Sequence, residues 1–306
     1  MSFASKLKTE LCKAVPQNPC CHKAECYGLL LFGRSFSKST VTLTTGNGAV
    51  AHRAAQLTAE VTGAIVDISA SVSRRKSRQN AFTVSVSGTD QRAAMLSCFG
   101  HTGSEINLRI NYANLENDCC ISAFLRGVFL SCGTVTDPQK DYHLEFVVPF
   151  MNLAKDLSTL ISELYELNLQ PGLLKRRGSY IVYLKGSERV ADLMTFMGAG
   201  NTAMELMQAK MLKEVRNNVN RKTNFETANI DKTAQAAAAQ VIAIEKILSS
   251  SGGISALPEE LQELAMLRYR NPEMSLRELG KTLSEPLSRS GINHRLQRIM
   301  DISNDI

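Results

Sequence analysis

The spacing of apolar residues along the chain repeats itself. Residues 20–36 (CCHKAECYGLLLFGRSF) and residues 119–135 (CCISAFLRGVFLSCGTV) each begin with an apolar helical pattern, and the two segments align at an offset of 99 residues. Two adjacent cysteines, an alanine, a glycine and a leucine coincide in this alignment. Self-similarity of this kind indicates a duplicated structural unit. The sequence therefore predicts two related halves, at about residues 20–100 and 119–200.

Each half continues with the same order of elements. Segments of strand-like residues predict two pairs of strands, and an amphipathic helix separates the first pair from the second. A closing helix follows Gly88 in the first half and Gly186 in the second. The sequence thus predicts an α+β fold in which an αββαββα unit occurs twice with pseudo-twofold symmetry. Because glycine lets backbones approach closely, we expect Gly28 and Gly127 at a seam between the two opening helices.

The last third of the chain has only helical patterns. Helices are predicted over residues 203–218, 231–248, 257–269 and 276–283, with a final helix after Ser288. Ser275 and Glu278 have the spacing of a capping box at the start of the fourth of these helices. The polar stretch 217–229 lacks a clear period and predicts a linker. The predicted domains are residues 1–216, the linker 217–229 and an all-α domain of residues 230–306.

Composition agrees with two ordinary globular domains. The chain has 306 residues, of which 44% are hydrophobic and 21% charged, and single cores rarely grow beyond about 250 residues. The longest apolar run, near residues 26–33, is far below the roughly 20 residues that span a bilayer. No signal peptide is recognisable, so we expect a cytoplasmic protein with eight reduced cysteines. The net charge of +6 suits a polyanionic partner.

The two opening helices are similar to the LAGLIDADG motif of homing endonucleases. That resemblance covers about two-thirds of the chain and implies paired interface helices beneath two antiparallel sheets, which form a saddle over DNA. In those enzymes an acidic residue at the foot of each helix holds the divalent metal that activates water. Here Gly33 and Cys132 occupy the two acid positions. Neither side chain can bind magnesium, so we expect no catalytic residues.

Longer stretches resemble one bacterial family over the whole chain. The segments SFASKLKTEL, FLRGVFLSCGTVTDP and NRKTNFETANIDKT look like WhiA, a family of sporulation and cell-division regulators. The resemblance implies a catalytically silent endonuclease scaffold followed by a helix-turn-helix domain. The order LRELGKTL and then SRSGINHRLQRI also resembles region 4 of bacterial sigma factors. The expected function is a non-catalytic transcription factor, associated with the nucleoid, in sporulation or in cell division and chromosome segregation.

The last two predicted helices are the candidate DNA-binding element. A short turn followed by a basic helix is typical of a helix-turn-helix whose second helix enters the major groove. Arg289 and Asn293 are the leading base readers, because arginine pairs with guanine and asparagine with adenine. The predicted DNA-binding residues are Arg277, Ser288, Arg289, Ser290, Asn293, His294, Arg295 and Arg298. The alternative for this helix is a solvated surface face.

Two basic turns, one in each half, are candidates for contacts with the DNA backbone. They contain Arg74, Arg75, Lys76, Arg78, Lys175, Arg176 and Arg177. Runs of this kind are more often ordinary solvated hairpin turns, but their recurrence where a saddle would face a duplex favours phosphate contact. The expected partner is double-stranded DNA, with a transcription-associated protein as a further candidate. Because the duplication already supplies twofold symmetry, we expect a monomer.

Metal and cofactor sites are not predicted. Cys20, Cys21, His22 and Cys26 suggest zinc, but the chain has no Cys-x₂-Cys pair among them and the cysteines lie on an apolar helix, which favours core packing. His294 has no second histidine at ligand spacing. Two alternative functions remain open: a regulator that acts through protein contacts with secondary DNA binding, and an active homing endonuclease that uses acids outside the motif.

Overall fold

The computed structural model describes residues 2–16, 18–72 and 80–305. The chain divides into two compact units, Met1–Glu214 and Val215–Ile306. The first unit contains both sheets, and the second is helical. The boundary lies close to the predicted end of the first domain at residue 216.

The first unit contains the duplicated arrangement. Helix α1 (Phe3–Leu11) comes first, and the first half follows as α2 (Pro19–Leu31), β1 (Ser35–Phe36), β2 (Val41–Thr45), α3 (Gly48–Thr62), β3 (Val66–Val72), β4 (Asn80–Val86) and α4 (Thr89–Cys98). The second half consists of α5 (Asp118–Cys132), β5 (Gly133–Val135), β6 (His143–Val148), α6 (Met151–Ser162), β7 (Gly172–Arg176), β8 (Ser179–Lys185) and α7 (Ser187–Phe196). The predicted αββαββα order is confirmed in both halves.

The two sheets have the same topology. Each is antiparallel, with the strand order β1-β2-β4-β3 in the first half and β5-β6-β8-β7 in the second. Side chains alternate between the faces of a strand, and in β2 Val41 and Leu43 are buried whereas Thr44 is exposed. In β6 Leu144 and Phe146 are buried in the same way. One face of each sheet therefore packs on the core, and the other faces solvent.

Helices α2 and α5 pack directly against each other at the centre of this unit. A Cβ atom on Gly28 would overlap the carbonyl oxygen of Phe124, and one on Gly127 would overlap the carbonyl oxygen of Glu25. The two contacts are related by the same 99-residue offset. The predicted seam is confirmed, and it is close enough that only glycine fits at its two crossing positions.

Four α-helices follow in the described part of the chain: α8 (Gly200–Leu248), α9 (Glu259–Arg270), α10 (Leu276–Thr282) and α11 (Arg289–Asp305). The predicted linker, residues 217–229, is helical, because it lies inside the single helix α8. The stretch lacks a period because nearly all of its side chains are exposed. A helix that buries no face needs no apolar stripe, so the periodicity gave no signal.

The second unit has its own small core. Ile244 and Ile247 from the end of α8 meet Leu261 and Leu264 of α9 and Leu296 of α11. These side chains are almost entirely buried. The core fixes α9, α10 and α11 relative to one another, and it leaves one face of α11 free.

Candidate nucleic-acid interface

Helix α10 begins at the predicted capping box. The Glu278 amide donates to the Ser275 hydroxyl at 3.3 Å, and the Ser275 amide donates to the Glu278 carboxylate at 2.9 Å. Hydrogen bonds from the Ser275 side chain and backbone to the carboxylate hold the pKa of Glu278 below its usual range. The capping box also satisfies two backbone donors that a helix start leaves free. A helix of only seven residues is thereby given a fixed start.

The turn between α10 and α11 is held from both sides. The Leu287 amide donates to the Gly280 carbonyl at 2.9 Å, and a Cβ on Gly280 would overlap the Leu287 carbonyl oxygen. On the other side, the Ser284 amide and hydroxyl donate to the Glu263 carboxylate of α9 at 2.9 and 2.7 Å. These bonds lower the pKa of Glu263. The turn therefore has one defined conformation, as a helix-turn-helix requires.

Helix α11 buries one face and exposes the other. Ile292, Leu296 and Ile299 are fully or almost fully buried, as the spacing predicted. Ser288 accepts a hydrogen bond from the Gly291 amide at 3.2 Å and so caps the helix start. The predicted readers at the N-terminal end of α11 are exposed: Arg289, Ser290, Asn293 and His294.

Two of these readers line a basic cleft within the second unit. The cleft has a volume of about 570 Å³ and lies among the end of α8, α9, α10 and α11. Its cationic lining residues are Lys232, Arg268, Arg277 and Arg289, and Asn293 adds an amide. No acidic side chain is among its lining residues. The arrangement concentrates positive charge beside the N-terminal end of α11, where a helix also attracts anions.

Arg268 and Lys232 were missed by the sequence reasoning. Arg268 is buried, and its guanidinium donates to the carbonyls of Pro272 at 3.0 Å and Met274 at 2.8 Å. Its Nε has no hydrogen-bond partner among the described residues, and burial lowers its pKa. One feature of the sequence could have identified Arg268. It follows Leu261, Leu264 and Ala265 on the buried stripe of α9, where a cationic side chain is unusual.

Arg295 and Arg298, which were predicted to bind DNA, do not line the cleft. The Arg295 guanidinium donates to the Glu260 carbonyl at 3.0 Å, and that of Arg298 pairs with the Glu260 carboxylate at 2.6 Å. Both side chains are thus directed to the start of α9. The sequence gives the helical face on which an arginine lies, but not the acid from a neighbouring helix that pairs with it.

Of the two basic turns in the first unit, the structure describes the second. Arg74, Arg75, Lys76 and Arg78 lie outside the described residues. In the second turn, Arg177 is exposed, and Arg176 pairs with Glu145 at 2.9 Å across the solvent face of its sheet. Lys175 lies on the opposite face, over the ring of Tyr180 at 5.7 Å. Side-chain alternation therefore keeps Lys175 and Arg176 from contacting the same duplex through one sheet face.

The solvent face of the first sheet carries little charge. Register aligns Thr44, Thr83 and Ser69 in one row across this face. The neighbouring row consists of Thr42, Ser85 and Asp67. The described strands β1 to β4 contain no lysine or arginine. Phosphate backbones are bound mainly by these two cations, so this part of the saddle is poorly suited to follow a duplex by charge.

The positions of the endonuclease acids have a different chemistry here. Cys132 ends α5 and is partly buried, and the desolvation of its thiol raises its pKa to about 12. Lys8 of α1 lies beside it and donates to the Leu130 carbonyl at 3.0 Å, so a cation occupies the helix end. At Gly33 a Cβ would lie 2.8 Å from the Thr42 carbonyl oxygen, which leaves little room for an acid. These residues do not fit a magnesium site.

The described residues contain one cluster of potential metal ligands close enough to share an ion. It consists of Cys20, Cys21, Cys119 and Cys120. The cluster contains no carboxylate, so it does not resemble a magnesium-dependent nuclease centre. Cys26 lies elsewhere and donates to Thr58 at 3.9 Å, and the His22 ring is 3.7 Å from Glu60.

In the described part of the chain, no helix is both long enough and apolar enough to cross a bilayer. The duplicated α+β unit with empty acid positions and the capped helix-turn-helix beside a basic cleft together define the class of protein. It is a degenerate LAGLIDADG-type scaffold joined to a helix-turn-helix domain.

Comparisons with known proteins agree with this class and identify the family. Residues 121–216 match the model of the WhiA LAGLIDADG-like domain, and residues 219–303 match the WhiA C-terminal HTH domain. A protein of Clostridium botulinum named "Probable cell division protein WhiA" is 38% identical, with 100% of this chain and 99% of that protein covered. A protein of the same name in Ruminiclostridium cellulolyticum is 35% identical, with 100% and 98% covered. The chain belongs to the WhiA family.

A solved structure supports the fold over its whole length. The crystal structure of full-length WhiA from Thermatoga maritima superposes with a TM-score of 0.62 at 24% identity, covering 100% of this chain and 99% of that one. At this identity the likeness concerns the fold. It agrees with the two antiparallel sheets followed by a helical region.

Proposed function

We propose that this protein is a non-catalytic transcription factor that reads duplex DNA through the N-terminal half of α11 and acts in cell division. The names of the relatives, which call them probable cell division proteins, support the process. The helix-turn-helix supports the DNA partner. The same proposal includes roles in sporulation and chromosome segregation. It also places the protein in the cytoplasm, associated with the nucleoid, as a monomer.

The observation that carries the proposal is the basic cleft beside the exposed start of α11. Arg289 and Asn293 line it, and both are among the side chains best suited to reading guanine and adenine in the major groove. Lys232, Arg268 and Arg277 line the same cleft and supply charge for phosphate oxygens. Phosphate contacts would set the position of the helix, and the two polar side chains at its start would select the sequence.

The first test removes the two readers. A duplex site is selected from a random library with the full-length chain, and its affinity is measured by fluorescence anisotropy at one fixed salt concentration. We expect the double variant Arg289→Ala, Asn293→Ala to bind the selected site at least about 30-fold more weakly, because two good base contacts of about 1–3 kcal/mol each together contribute about 2 kcal/mol or more. Affinity for unrelated duplexes should change much less, because phosphates dominate it.

The matched control is Arg298→Ala on the same helix. Its guanidinium pairs with Glu260 and is half-exposed, and a surface pair of this kind contributes about 0–1 kcal/mol to stability. We expect this variant to keep its preference for the selected site. If the double variant discriminates between sites as well as the native chain does, α11 is not the reading helix in the way proposed.

We also propose that the scaffold does not cleave DNA. Three features support this: the desolvated Cys132 thiol, the Lys8 ammonium beside it and the crowded Gly33 position. Incubation of the full-length chain with a genomic DNA library and Mg²⁺ should leave the library intact, with an active homing endonuclease as the positive control. Metal-dependent nicking that appears at defined sites would establish the endonuclease alternative instead.

The weakly charged solvent face of the first sheet favours a second role for the saddle, as a surface for a protein partner. In that case the sheets contribute no phosphate contacts. The logarithm of DNA affinity falls with the logarithm of salt concentration in proportion to the number of phosphates bound. We expect Arg177→Ala to leave that slope unchanged. If the slope for the variant is smaller in magnitude by about the amount that one phosphate contact contributes, this turn binds the DNA backbone.

A further inference from the structure

The N-terminal ends of α2 and α5 bring four cysteines together. Cys20 and Cys21 come from the first half, and Cys119 and Cys120 from the second, at the same 99-residue offset that relates the two halves. All four Sγ atoms lie within 4.8 Å of one another. Cys21 and Cys120 are buried, and Cys119 is exposed. The cluster is at the opposite end of the interface helices from Gly33 and Cys132.

The spacing of the sulfur atoms fits one tetrahedral ion. A zinc–thiolate bond of about 2.3 Å places two ligand sulfurs of a tetrahedron about 3.8 Å apart. The Sγ atoms of Cys20 and Cys119 are 4.0 Å apart. A disulfide would require about 2.05 Å and would join only two of the four sulfurs. Small shifts in side-chain torsions would therefore complete a tetrathiolate site, and the helices would not have to move.

Two hydrogen bonds to the cysteine cluster repeat with the symmetry of the halves. Asn18 and Asn117 precede α2 and α5, and neither side chain caps its own helix. The Asn18 amide instead donates to Cys119 at 3.8 Å, and the Asn117 amide donates to Cys20 at 3.9 Å. Donors of this kind orient thiolate ligands and stabilise their charge. The positive ends of two helix dipoles also meet at the cluster.

We propose that Cys20, Cys21, Cys119 and Cys120 bind one zinc ion, which joins the two halves of the first unit at the start of their interface helices. Binding exchanges four thiol protons, which pass to solvent, for four zinc–sulfur bonds, and the site carries a net charge of −2. Such a closed site has no open ligand position, so its role is structural. The usual Cys-x₂-Cys spacing is absent because each half contributes an adjacent pair.

The test uses the full-length chain purified under reducing conditions and measures bound metal by elemental analysis. We expect about one zinc per chain. Cobalt(II) in place of zinc should give the intense visible bands of a tetrahedral tetrathiolate complex. The double variant Cys20→Ser, Cys119→Ser changes the two more accessible ligands and should lose the zinc and these bands. Cys98→Ser, an exposed cysteine outside the cluster, should keep both.

Stability gives a readout that does not depend on metal content. A chelator should lower the melting temperature of the native chain and of Cys98→Ser, because a ligand that binds only the folded state stabilises it. It should leave the melting temperature of the double variant unchanged. Circular dichroism of the double variant checks that it folds. The absence of zinc and of cobalt bands in the native chain overturns the proposal, as would iron in place of zinc or a Cys20–Cys119 disulfide without metal.

Discussion

Replacing Gly127 by alanine is expected to disrupt the first unit. The new Cβ would overlap the Glu25 carbonyl oxygen and lie 2.9 Å from the Leu29 amide nitrogen. These atoms belong to the backbone of α2 and cannot rotate away as a side chain does. The helices would have to separate along a seam packed at crystal-like density. Overpacking usually lowers stability by about 1–3 kcal/mol, and here we expect the upper limit to be exceeded.

The measurement is urea unfolding followed by tyrosine fluorescence. The chain has no tryptophan, and six of its seven tyrosines belong to the first unit, so the signal reports mainly on that unit. Gly28→Ala should behave in the same way, because its Cβ would overlap the Phe124 carbonyl oxygen. Gly200→Ala is the control, since its Cβ would meet nothing within 4 Å. A Gly127→Ala midpoint equal to that of the control would contradict the close seam.

Replacing Glu25 by glutamine should lower the free energy of unfolding by about 3–5 kcal/mol. The Glu25 carboxylate is fully buried and accepts from Arg53 of α3 at 2.9 and 3.1 Å and from Arg126 of α5 at 3.0 Å. One negative charge thus stabilises a cation from each half. A neutral amide would leave two guanidinium groups with low solvent exposure and no acid, and its NH₂ group would face donors.

An exposed pair gives the matched comparison. Glu205 pairs with Lys6 at 2.9 Å, and both side chains are about half-exposed. We expect Glu205→Gln to change the free energy of unfolding by less than about 1 kcal/mol. Urea unfolding of both variants at neutral pH makes the comparison. If Glu25→Gln is as stable as Glu205→Gln, the buried triad does not hold the two halves together as described.

The elements of the first unit could be predicted because their signals are local. Each strand alternates and each amphipathic helix carries its own apolar stripe, so residues close in sequence determine the pattern. The capping box at Ser275 and the cap at Ser288 in the second unit are also local signals, and both were placed correctly. The helical conformation of the exposed middle of α8 was not predicted, because a helix without a buried face has no periodic apolar pattern in its sequence.

The charged and thiol sites depend on distances between remote residues. Arg289 and Asn293 were predicted from one helix, but Lys232 and Arg268 join them only through the packing of α8, α9 and α11. Arg298 pairs with an acid 38 residues earlier in the chain. The triad of Glu25, Arg53 and Arg126 has no sequence signature, since its members lie on three different helices.

The duplication, the order of the elements, the glycine seam, the helix caps and the loss of both acids from the endonuclease motif could all be predicted from the amino-acid sequence. Each of these follows from residue identity and short-range spacing. The folded chain was needed to show which cations line one cleft, which arginines pair with Glu260 instead, and that two cysteine pairs form one cluster of four. Those facts depend on how helices far apart in the chain pack, and packing distances are not encoded in local periodicity.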